Sequence, residues 1–106
     1  MTFPKIGNIA PAFSLKNQDE KLVCLKDFKG KKNLVLYFYP KASTPGCTTQ
    51  ACGIRDAFVE FKNMDTVVLG VSPDAPAKLT KFIQKQSLNF DLLSDEDHAI
   101  ADKYGV

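Results

Sequence analysis

The chain has 106 residues, the size of one small globular domain, and its mixture of 44% hydrophobic and 25% charged residues is that of an ordinary globular protein. A net charge of +2, with lysines dispersed along the chain, argues against a nucleic-acid partner. No apolar run reaches membrane-spanning length, and the N-terminus lacks the apolar core of a secretory signal. We therefore expect a single cytoplasmic domain over residues 1–106, without a membrane partner.

Three cysteines, an odd number, do not form the paired framework of a secreted disulfide-rich protein, and they suit a reducing compartment. Cys24 falls in a short β-like run, Leu22–Leu25. We interpret it as a buried strand cysteine that packs as a small hydrophobic residue.

The first half of the chain predicts a hairpin and then a buried strand. Two short extended runs, Ala12–Leu15 and Leu22–Leu25, flank a polar stretch and predict an N-terminal β-hairpin. A charged connector over Asp27–Lys32 follows. Asn33–Tyr39 is apolar almost without alternation, which is typical of a strand buried on both faces. We expect this strand to be central in the sheet.

A turn-rich loop after Pro40 leads into a helix from Cys47 to about Lys62. Gly53 weakens this helix by about 1 kcal/mol relative to alanine. The glycine is there either for helix packing or to ease local unwinding, and the sequence does not decide between the two. The apolar residues at helical spacing, which predict one buried face, are Ala51, Ile54, Phe58 and Phe61.

The second half of the chain predicts alternating strands and helices. Thr66–Val71 is a second buried strand, and Ser72–Pro76 begins a helix with proline in its first turn. Phe90–Leu93 is a short strand candidate. The apolar stripe of the helix between these strands is formed by Leu79, Phe82 and Ile83.

The acidic run Ser94–Asp97 has the form of a capping box, a serine followed three residues later by an acid. It predicts the start of a last helix through Ala99 to Tyr104, and we favour capping over a metal site. His98, the only histidine, is interpreted as a surface helix residue.

The order of elements predicts an α/β fold with a parallel core pair. Asn33–Tyr39 and Thr66–Val71 are separated by one helix, so we expect them to lie side by side with a right-handed crossover.

Cys47 is a candidate nucleophile because the predicted helix places its thiol at a helix N-terminus. Unpaired N–H groups and the positive end of the helix dipole favour an anion there, so we expect thiolate. Thr44, three residues earlier, is close enough to offer its hydroxyl to the sulfur or to a substrate oxygen. Lys41 adds positive charge to this loop.

Cys52 follows Cys47 by five residues, which sets it about 500° round an intact helix and about 8 to 9 Å away between Cα atoms. A disulfide needs less than about 7 Å between Cα atoms. The two thiols therefore react only if this turn unwinds.

The run Pro40-x-x-x-Thr44-x-x-Cys47 resembles the active-site signature of peroxiredoxins. Its flanks, Tyr-Phe-Tyr-Pro-Lys before and Thr-Pro-Gly-Cys-Thr-Thr-Gln-Ala-Cys-Gly-Ile-Arg-Asp after, are similar to the bacterioferritin comigratory protein or PrxQ branch. The similarity extends over the whole chain.

The resemblance implies a thioredoxin-like fold and a thiol peroxidase that reduces hydrogen peroxide and organic hydroperoxides. Cys47 would be the peroxidatic cysteine, Cys52 the resolving one, and Pro40 and Thr44 the supporting residues. The sulfenic acid on Cys47 would condense with Cys52, and thioredoxin or a similar dithiol would reduce the disulfide. The resemblance implies no metal or organic cofactor and a monomer at full length.

Members of this family carry an arginine in a later strand, which this sequence does not contain. We therefore expect the fold to be incomplete at the C-terminus and the isolated chain to be impaired. The Asn33–Tyr39 strand would be left with an exposed edge, which predicts aggregation or marginal stability. These residues would then be a fragment, or a complementing chain would supply the rest.

Two other functions are compatible with some of these residues. A thioredoxin-type thiol-disulfide oxidoreductase needs Cys-x-x-Cys, whereas four residues separate Cys47 from Cys52. A non-enzymatic protein would be a partner-binding remnant of a peroxidase, or a zinc module that uses both cysteines and His98. Zinc sites usually show paired, closely spaced ligands, which this chain lacks.

Overall fold

A computed structural model describes residues 5–7, 9–28, 30, 32–42 and 44–106. The strands are β1 (Ser14–Asn17), β2 (Leu22–Cys24), β3 (Asn33–Phe38), β4 (Thr66–Ser72) and β5 (Leu92–Ser94). The helices are α1 (Pro45–Asp56), α2 (Phe58–Asn63), α3 (Pro76–Gln86) and α4 (Ala99–Lys103), and a 3-10 turn spans Leu25–Phe28. Over the described ranges, no helix has the length and the apolar run that crossing a lipid bilayer requires.

The sheet has five strands in the order β2-β1-β5-β4-β3. β3 pairs with β4 in parallel, in register from Asn33 beside Thr66 to Phe38 beside Val71, so the predicted parallel pair is confirmed. β5 is parallel to β4 and antiparallel to β1. This mixed sheet with helices on its faces confirms the predicted α/β fold.

The predicted central position of β3 is wrong, because β4 has a strand on each side and β3 lies at the edge of the described sheet. A continuous apolar run indicates that both faces are covered but carries no information on the neighbouring strands. The expected exposed edge is therefore confirmed. Val35 on this strand is 41% exposed, so one face is also only partly covered.

The predicted N-terminal hairpin is confirmed, with β1 and β2 paired antiparallel from Ser14 beside Cys24. β1 begins two residues later than expected, and Leu25 belongs to the 3-10 turn. In the predicted charged connector, residues 29 and 31 lie outside the described residues. Cys24 is half-buried and its sulfur lies 3.3 Å from Ser14 Oγ, so it is not the fully buried hydrophobic residue that we expected.

The single helix predicted from Cys47 to Lys62 is in fact two helices, α1 and α2, and the first begins two residues earlier, at Pro45. The break falls at Ala57, whose N–H is shared between the carbonyl oxygens of Gly53 and Ile54, both at 3.1 Å. The expected apolar face is only partly buried. Ala51 is buried, Ile54 and Phe61 are half-buried, and Phe58 is 41% exposed.

The predicted helix after β4 is confirmed as α3, with Pro76 in its first turn and with Leu79 and Phe82 fully buried. Ile83, the third residue of its predicted stripe, is half-buried and packs against the same cluster. The predicted strand at Phe90–Leu93 is β5, displaced toward Ser94.

The last helix is confirmed as α4, but the predicted serine cap is wrong. Ser94 lies in β5 and donates its hydroxyl to the Asp74 carbonyl oxygen at 2.8 Å. The carboxylate of Asp95 instead accepts the N–H groups of Ile100 and Ala101 at 3.1 and 2.9 Å. An acid therefore satisfies the helix start, as the dipole argument required. His98 is exposed, but it precedes α4 with φ 61° and is not inside the helix.

Two hydrophobic clusters lie on opposite faces of the sheet. α1 and α3 contribute to one cluster, and α4 contributes to the other. The buried residues of the first are Tyr39, Ala51, Leu79, Phe82, Leu88 and Leu92. Those of the second are Phe13, Leu69, Val71, Leu93 and Ile100.

Two tyrosines from the carboxyl end of β3 face the first cluster. Tyr37 and Tyr39 stack with their ring centroids 5.5 Å apart. Gly70 of β4 leaves room for Tyr37, because a Cβ there would lie 2.8 Å from the Leu92 side chain and 3.0 Å from the Tyr37 ring. Both hydroxyls are buried and have no hydrogen-bond partner among the described residues. Burial raises the pKa of Tyr39 to about 12 and raises that of Tyr37 further.

Asp74 connects the ends of the core strands to the loop after β3. Its buried carboxylate oxygen Oδ2 accepts the N–H of Ala42 at 2.7 Å and the hydroxyl of Ser72 at 2.9 Å. Its carbonyl oxygen accepts the Ser94 hydroxyl, so the ends of β4 and β5 are joined as well. One residue therefore fixes the loop relative to two strands.

We expect Asp74→Ala to lower the free energy of unfolding by about 1 to 3 kcal/mol, because it removes the acceptor of a backbone N–H and of a buried hydroxyl. Urea unfolding measures this change. Asp19→Ala, at an exposed turn position, is the control and should alter stability by less than about 0.5 kcal/mol. Equal effects in the two variants would contradict the assigned role of Asp74.

We expect Tyr39→Phe to reduce the loss of stability at high pH. An unfolded tyrosine ionises near pH 10, whereas folded Tyr39 ionises near 12, so the unfolded chain gains stability relative to the folded one as pH rises through this window. Urea unfolding at pH 7 and pH 11 should show a loss about 1 kcal/mol smaller in the variant. At pH 7 its stability should be unchanged or slightly higher, since the lost hydroxyl has no partner among the described residues.

Tyr104→Phe is the matched control at pH 7. The hydroxyl of Tyr104 donates to the Pro11 carbonyl oxygen at 2.6 Å, so its removal should destabilise the chain by about 1 kcal/mol. Equal alkaline losses in wild type and Tyr39→Phe would show that burial does not hold this hydroxyl protonated.

Candidate active site

The chain leaves the carboxyl end of β3 at Pro40 and enters α1 within a few residues. Thr44 is the N-cap, with extended backbone at φ −80° and ψ 153°, and Pro45 takes the first helical turn, where its missing N–H costs nothing. Cys47 is therefore the third residue of α1, close to the helix start as predicted. The Thr44 carbonyl oxygen accepts the Thr48 N–H at 2.8 Å, which closes the first turn.

This position exposes Cys47 to the positive end of the helix. The N–H groups of Gly46 and Cys47 have no carbonyl partner inside the helix, because the first turn of any helix lacks them. No acidic residue lies in the first turn of α1. The aligned peptide dipoles and these N–H groups favour negative charge on a sulfur or oxygen atom placed there.

Cys47 is half-buried and packs against the first hydrophobic cluster, which includes Tyr39 and against which Tyr37 also packs. Burial is the main cause of the raised pKa of each tyrosine, and the nearby Cys47 adds to it in both. Tyr37 and Tyr39 therefore lie near the sulfur, stay protonated at neutral pH and shield one side of the sulfur from water.

Pro40 and Thr44 lie at the two ends of the loop that leads into α1. The Thr44 hydroxyl donates to the Lys41 carbonyl oxygen at 3.0 Å, so the expected bond from this hydroxyl to the Cys47 sulfur is not made in this conformation. Pro40 is exposed and lines a cleft of about 230 Å³ with Ser72 and His98. The lining of that cleft includes neither Thr44 nor Cys47.

Cys52 lies in the same uninterrupted helix as Cys47, and both are free thiols. Its sulfur is half-buried and lies 3.6 Å from the side-chain oxygen of Gln86, a contact that a thiol donor can make. Helical geometry separates the two cysteines by about 8 to 9 Å between Cα atoms. The observed conformation therefore prevents a disulfide between them.

Gly53 has no packing role in the described structure. It is exposed, and a Cβ added there would meet no atom within 4 Å. Of the two explanations that the sequence left open, close packing therefore has no support. That glycine makes α1 easier to unwind next to Cys52 stays a prediction.

Two further features bear on the alternatives. A larger cleft of about 490 Å³ is lined by Ile54, Phe58, Phe61 and the amino end of β4, and it includes neither Cys47 nor Cys52. In the part of the chain that the structure describes, no three His, Cys, Asp or Glu side chains are grouped as metal ligands, so the zinc alternative gains no support.

Three residues near the site carry no signal of their role in the sequence. The pattern around Asp74 indicates only a helix start, although its carboxylate holds the loop at Ala42. Gln86 and Asn89 contact α1 from the end of α3, 31 to 34 residues away along the chain. Only contacts between distant segments reveal these roles, and no local motif signals them.

Comparisons with known proteins identify the family of this chain. Residues 6–106 match the sequence profile of the AhpC/TSA family. The chain is 63% identical over 101 residues to a putative peroxiredoxin bcp of Haemophilus influenzae, covering 95% of this chain and 64% of that protein. It is 57% identical over 102 residues to peroxiredoxin Bcp of Escherichia coli, covering 96% and 65%. The chain thus spans about 65% of the length of these relatives.

Solved structures show the same fold. Peroxidoxin BcpB of Mycobacterium tuberculosis superposes with a TM-score of 0.90 at 35% identity, covering 94% of this chain and 65% of that one. The bacterioferritin comigratory protein of Xanthomonas campestris gives a TM-score of 0.85 at 34% identity, covering 89% and 59%. The expected thioredoxin-like peroxiredoxin fold is confirmed. The chain therefore belongs to the AhpC/TSA family, and its resemblance to peroxiredoxins of the Bcp and PrxQ branch is confirmed.

Proposed function

We propose that this chain is the part of a thiol peroxidase that carries both reacting cysteines, and that Cys47 attacks hydroperoxides. The observation that carries the proposal is the placement of Cys47 as the third residue of α1, beside N–H groups without helical partners and against a dry aromatic surface. The bacterioferritin comigratory protein of Xanthomonas campestris is described as having alkyl peroxide reduction activity. Hydrogen peroxide and organic hydroperoxides are the substrates that we propose here.

In the first step the Cys47 thiolate attacks the terminal oxygen of the peroxide. The O–O bond breaks, an S–O bond forms, and the leaving oxygen takes a proton and departs as water or an alcohol. Cys47 becomes a sulfenic acid and the peroxide is reduced by two electrons. The N–H groups of Gly46 and Cys47 stabilise the charge that develops on the oxygens, and the hydroxyl of Thr44 orients the peroxide after leaving the Lys41 carbonyl oxygen.

In the second step the Cys52 thiol condenses with the sulfenic acid. An S–S bond forms, the S–O bond breaks, and the proton from Cys52 leaves with the hydroxyl group as water. The observed α1 keeps the two sulfurs apart, so at least the turn between them must unwind first. We propose that Pro40, a supporting residue, shapes the pocket at the start of the loop and helps to exclude water.

A dithiol completes the cycle, and thioredoxin or a similar protein is the partner that we propose. It attacks the disulfide, passes through a mixed disulfide and is released oxidised, which returns two thiols to this chain. A reducing cytoplasm is the setting that this cycle needs. No metal or organic cofactor takes part in these steps.

We expect Cys47→Ser to abolish peroxide consumption, because the nucleophile is lost. Cys52→Ser should still consume one equivalent of peroxide and then accumulate sulfenic acid, since the condensation has no second thiol. A single-turnover assay with a sulfenic-acid probe and intact mass measures both outcomes. Cys24→Ser is the matched control and should retain the full two-step reaction. Equal loss in the Cys47 and Cys52 variants would contradict the division of roles.

We expect Gly53→Ala to slow the formation of the disulfide about fivefold, because alanine stabilises a helix by about 1 kcal/mol relative to glycine. The rate of the first oxidation should not change, since Gly53 is exposed and a side chain there would contact no part of the site. Stopped-flow oxidation with one equivalent of peroxide separates the two phases. Gln50→Ala, at an exposed position of the same helix, is the control. An unchanged second phase in Gly53→Ala would show that unwinding at this residue is not limiting.

A further inference from the structure

The end of α3 is attached to the second half of α1 by three polar contacts, which we call the clasp. The Cys52 thiol donates to Gln86 Oε1 at 3.6 Å, and Arg55 Nη1 donates to the Gln86 carbonyl oxygen at 2.6 Å. The side-chain amide of Asn89 donates to the Arg55 carbonyl oxygen at 3.1 Å. All three join the segment that must unwind to a segment that is fixed.

The fixed side of the clasp is held by the fold itself. α3 ends at Gln86, and Ser87 turns the chain in the left-handed conformation with φ 52°. The N–H of Leu88 then returns to the Ile83 carbonyl oxygen at 3.1 Å, and Leu88 is buried in the first hydrophobic cluster. Gln86 and Asn89 are therefore presented to α1 at a set position.

The mobile side of the clasp is intrinsically weak. Gly53 lies between Cys52 and Arg55, and glycine has the lowest helix propensity of any residue except proline. The helix then breaks at Ala57, two residues after Arg55. The contacts from α3 thus fall on the part of α1 that local propensity stabilises least.

We propose that Gln86, together with Asn89, is a positioning residue that holds Cys52 in the wound helix and so sets the rate at which the disulfide forms. This inference rests on the proposed function of Cys47 and Cys52. In the wound state the Cys52 proton faces the Gln86 oxygen instead of the sulfenic acid. Release of the clasp frees the thiol, turns it toward Cys47 and permits the loss of water described above.

A clasp of this kind has a chemical consequence for the sulfenic acid. A slow release lengthens the life of the sulfenic acid, and a second peroxide then has time to oxidise it to sulfinic acid. A weaker clasp should shorten that life. The first oxidation should be insensitive to the clasp, since the hydrogen bonds that Gln86 makes to α1 involve Cys52 and Arg55 rather than Cys47.

The test compares Gln86→Ala with Gln84→Ala in the purified protein. Gln84 is the same residue type on the same helix, and it is exposed. Gln86→Ala removes the acceptor of the Cys52 thiol and keeps the backbone carbonyl that binds Arg55. With one equivalent of hydrogen peroxide, we expect this variant to form the disulfide about three to ten times faster than wild type, with the first phase unchanged. Gln84→Ala should match wild type in both phases. A second phase that is unchanged or slower in Gln86→Ala overturns the proposal.

Two more variants separate positioning from general destabilisation. Gln86→Glu keeps a side-chain oxygen as acceptor and should retain the slow second phase. Asn89→Ala should accelerate that phase, whereas Asn63→Ala, at an exposed position of α2, should not. If acceleration instead follows the loss of global stability measured by urea, whichever residue is changed, the clasp has no specific role.

Hydrogen exchange distinguishes failure of this inference from failure of the proposed function. In the reduced protein without peroxide, the amides of Thr48 to Arg55 should exchange about three to ten times faster in Gln86→Ala and not in Gln84→Ala. Unchanged exchange overturns the clasp even if the peroxidase chemistry is correct. Faster exchange in a protein whose Cys47 forms no sulfenic acid would support the clasp and refute the proposed function.

Discussion

The parallel pairing of β3 with β4 is the constraint on which the site depends. It aligns the carboxyl ends of the two strands. Pro40 and Pro73 therefore begin two loops on the same side of the sheet, where both strands end. Asp74 then joins these loops by accepting the Ala42 N–H and the Ser72 hydroxyl. Ala42 is therefore held relative to both strands, and Cys47, at the start of α1, packs against the first hydrophobic cluster.

The proposed function places two opposite requirements on α1. A wound first turn gives Cys47 the N–H groups and dipole that favour negative charge, whereas disulfide formation with Cys52 requires the following turn to open. The helix divides these requirements along its length. Pro45 in the first turn suits the helix start, while Gly53 and the break at Ala57 weaken the second half. The contacts that Gln86 and Asn89 make with Cys52 and Arg55 stabilise this second half, whose own helix propensity is low.

Local signals in the sequence predicted the parts of the site that lie on one continuous stretch. Proline and glycine after an apolar run predict the loop and the helix start. The position of Cys47 at that start therefore follows from residues that are close together in the sequence. The hairpin, the parallel pair and α3 with its buried Leu79 and Phe82 follow from periodicity in the same way.

Local signals do not predict features that depend on contacts between distant parts of the chain. Whether β3 is central or at the edge depends on which strands reach it, and its own apolar run is compatible with both. Gln86 and Asn89 acquire their contacts with α1 only through the packing of α3, which no spacing within α1 encodes.

Cys24, the third thiol, takes no part in the proposed chemistry, and its place in the sheet is consistent with this. It closes β2 at one edge of the sheet, while the chain that carries the other two cysteines leaves β3 at the opposite edge. Four strand spacings, about 19 Å, separate these edges. Under the proposed function, we therefore expect the internal disulfide to form within α1 and not to involve Cys24.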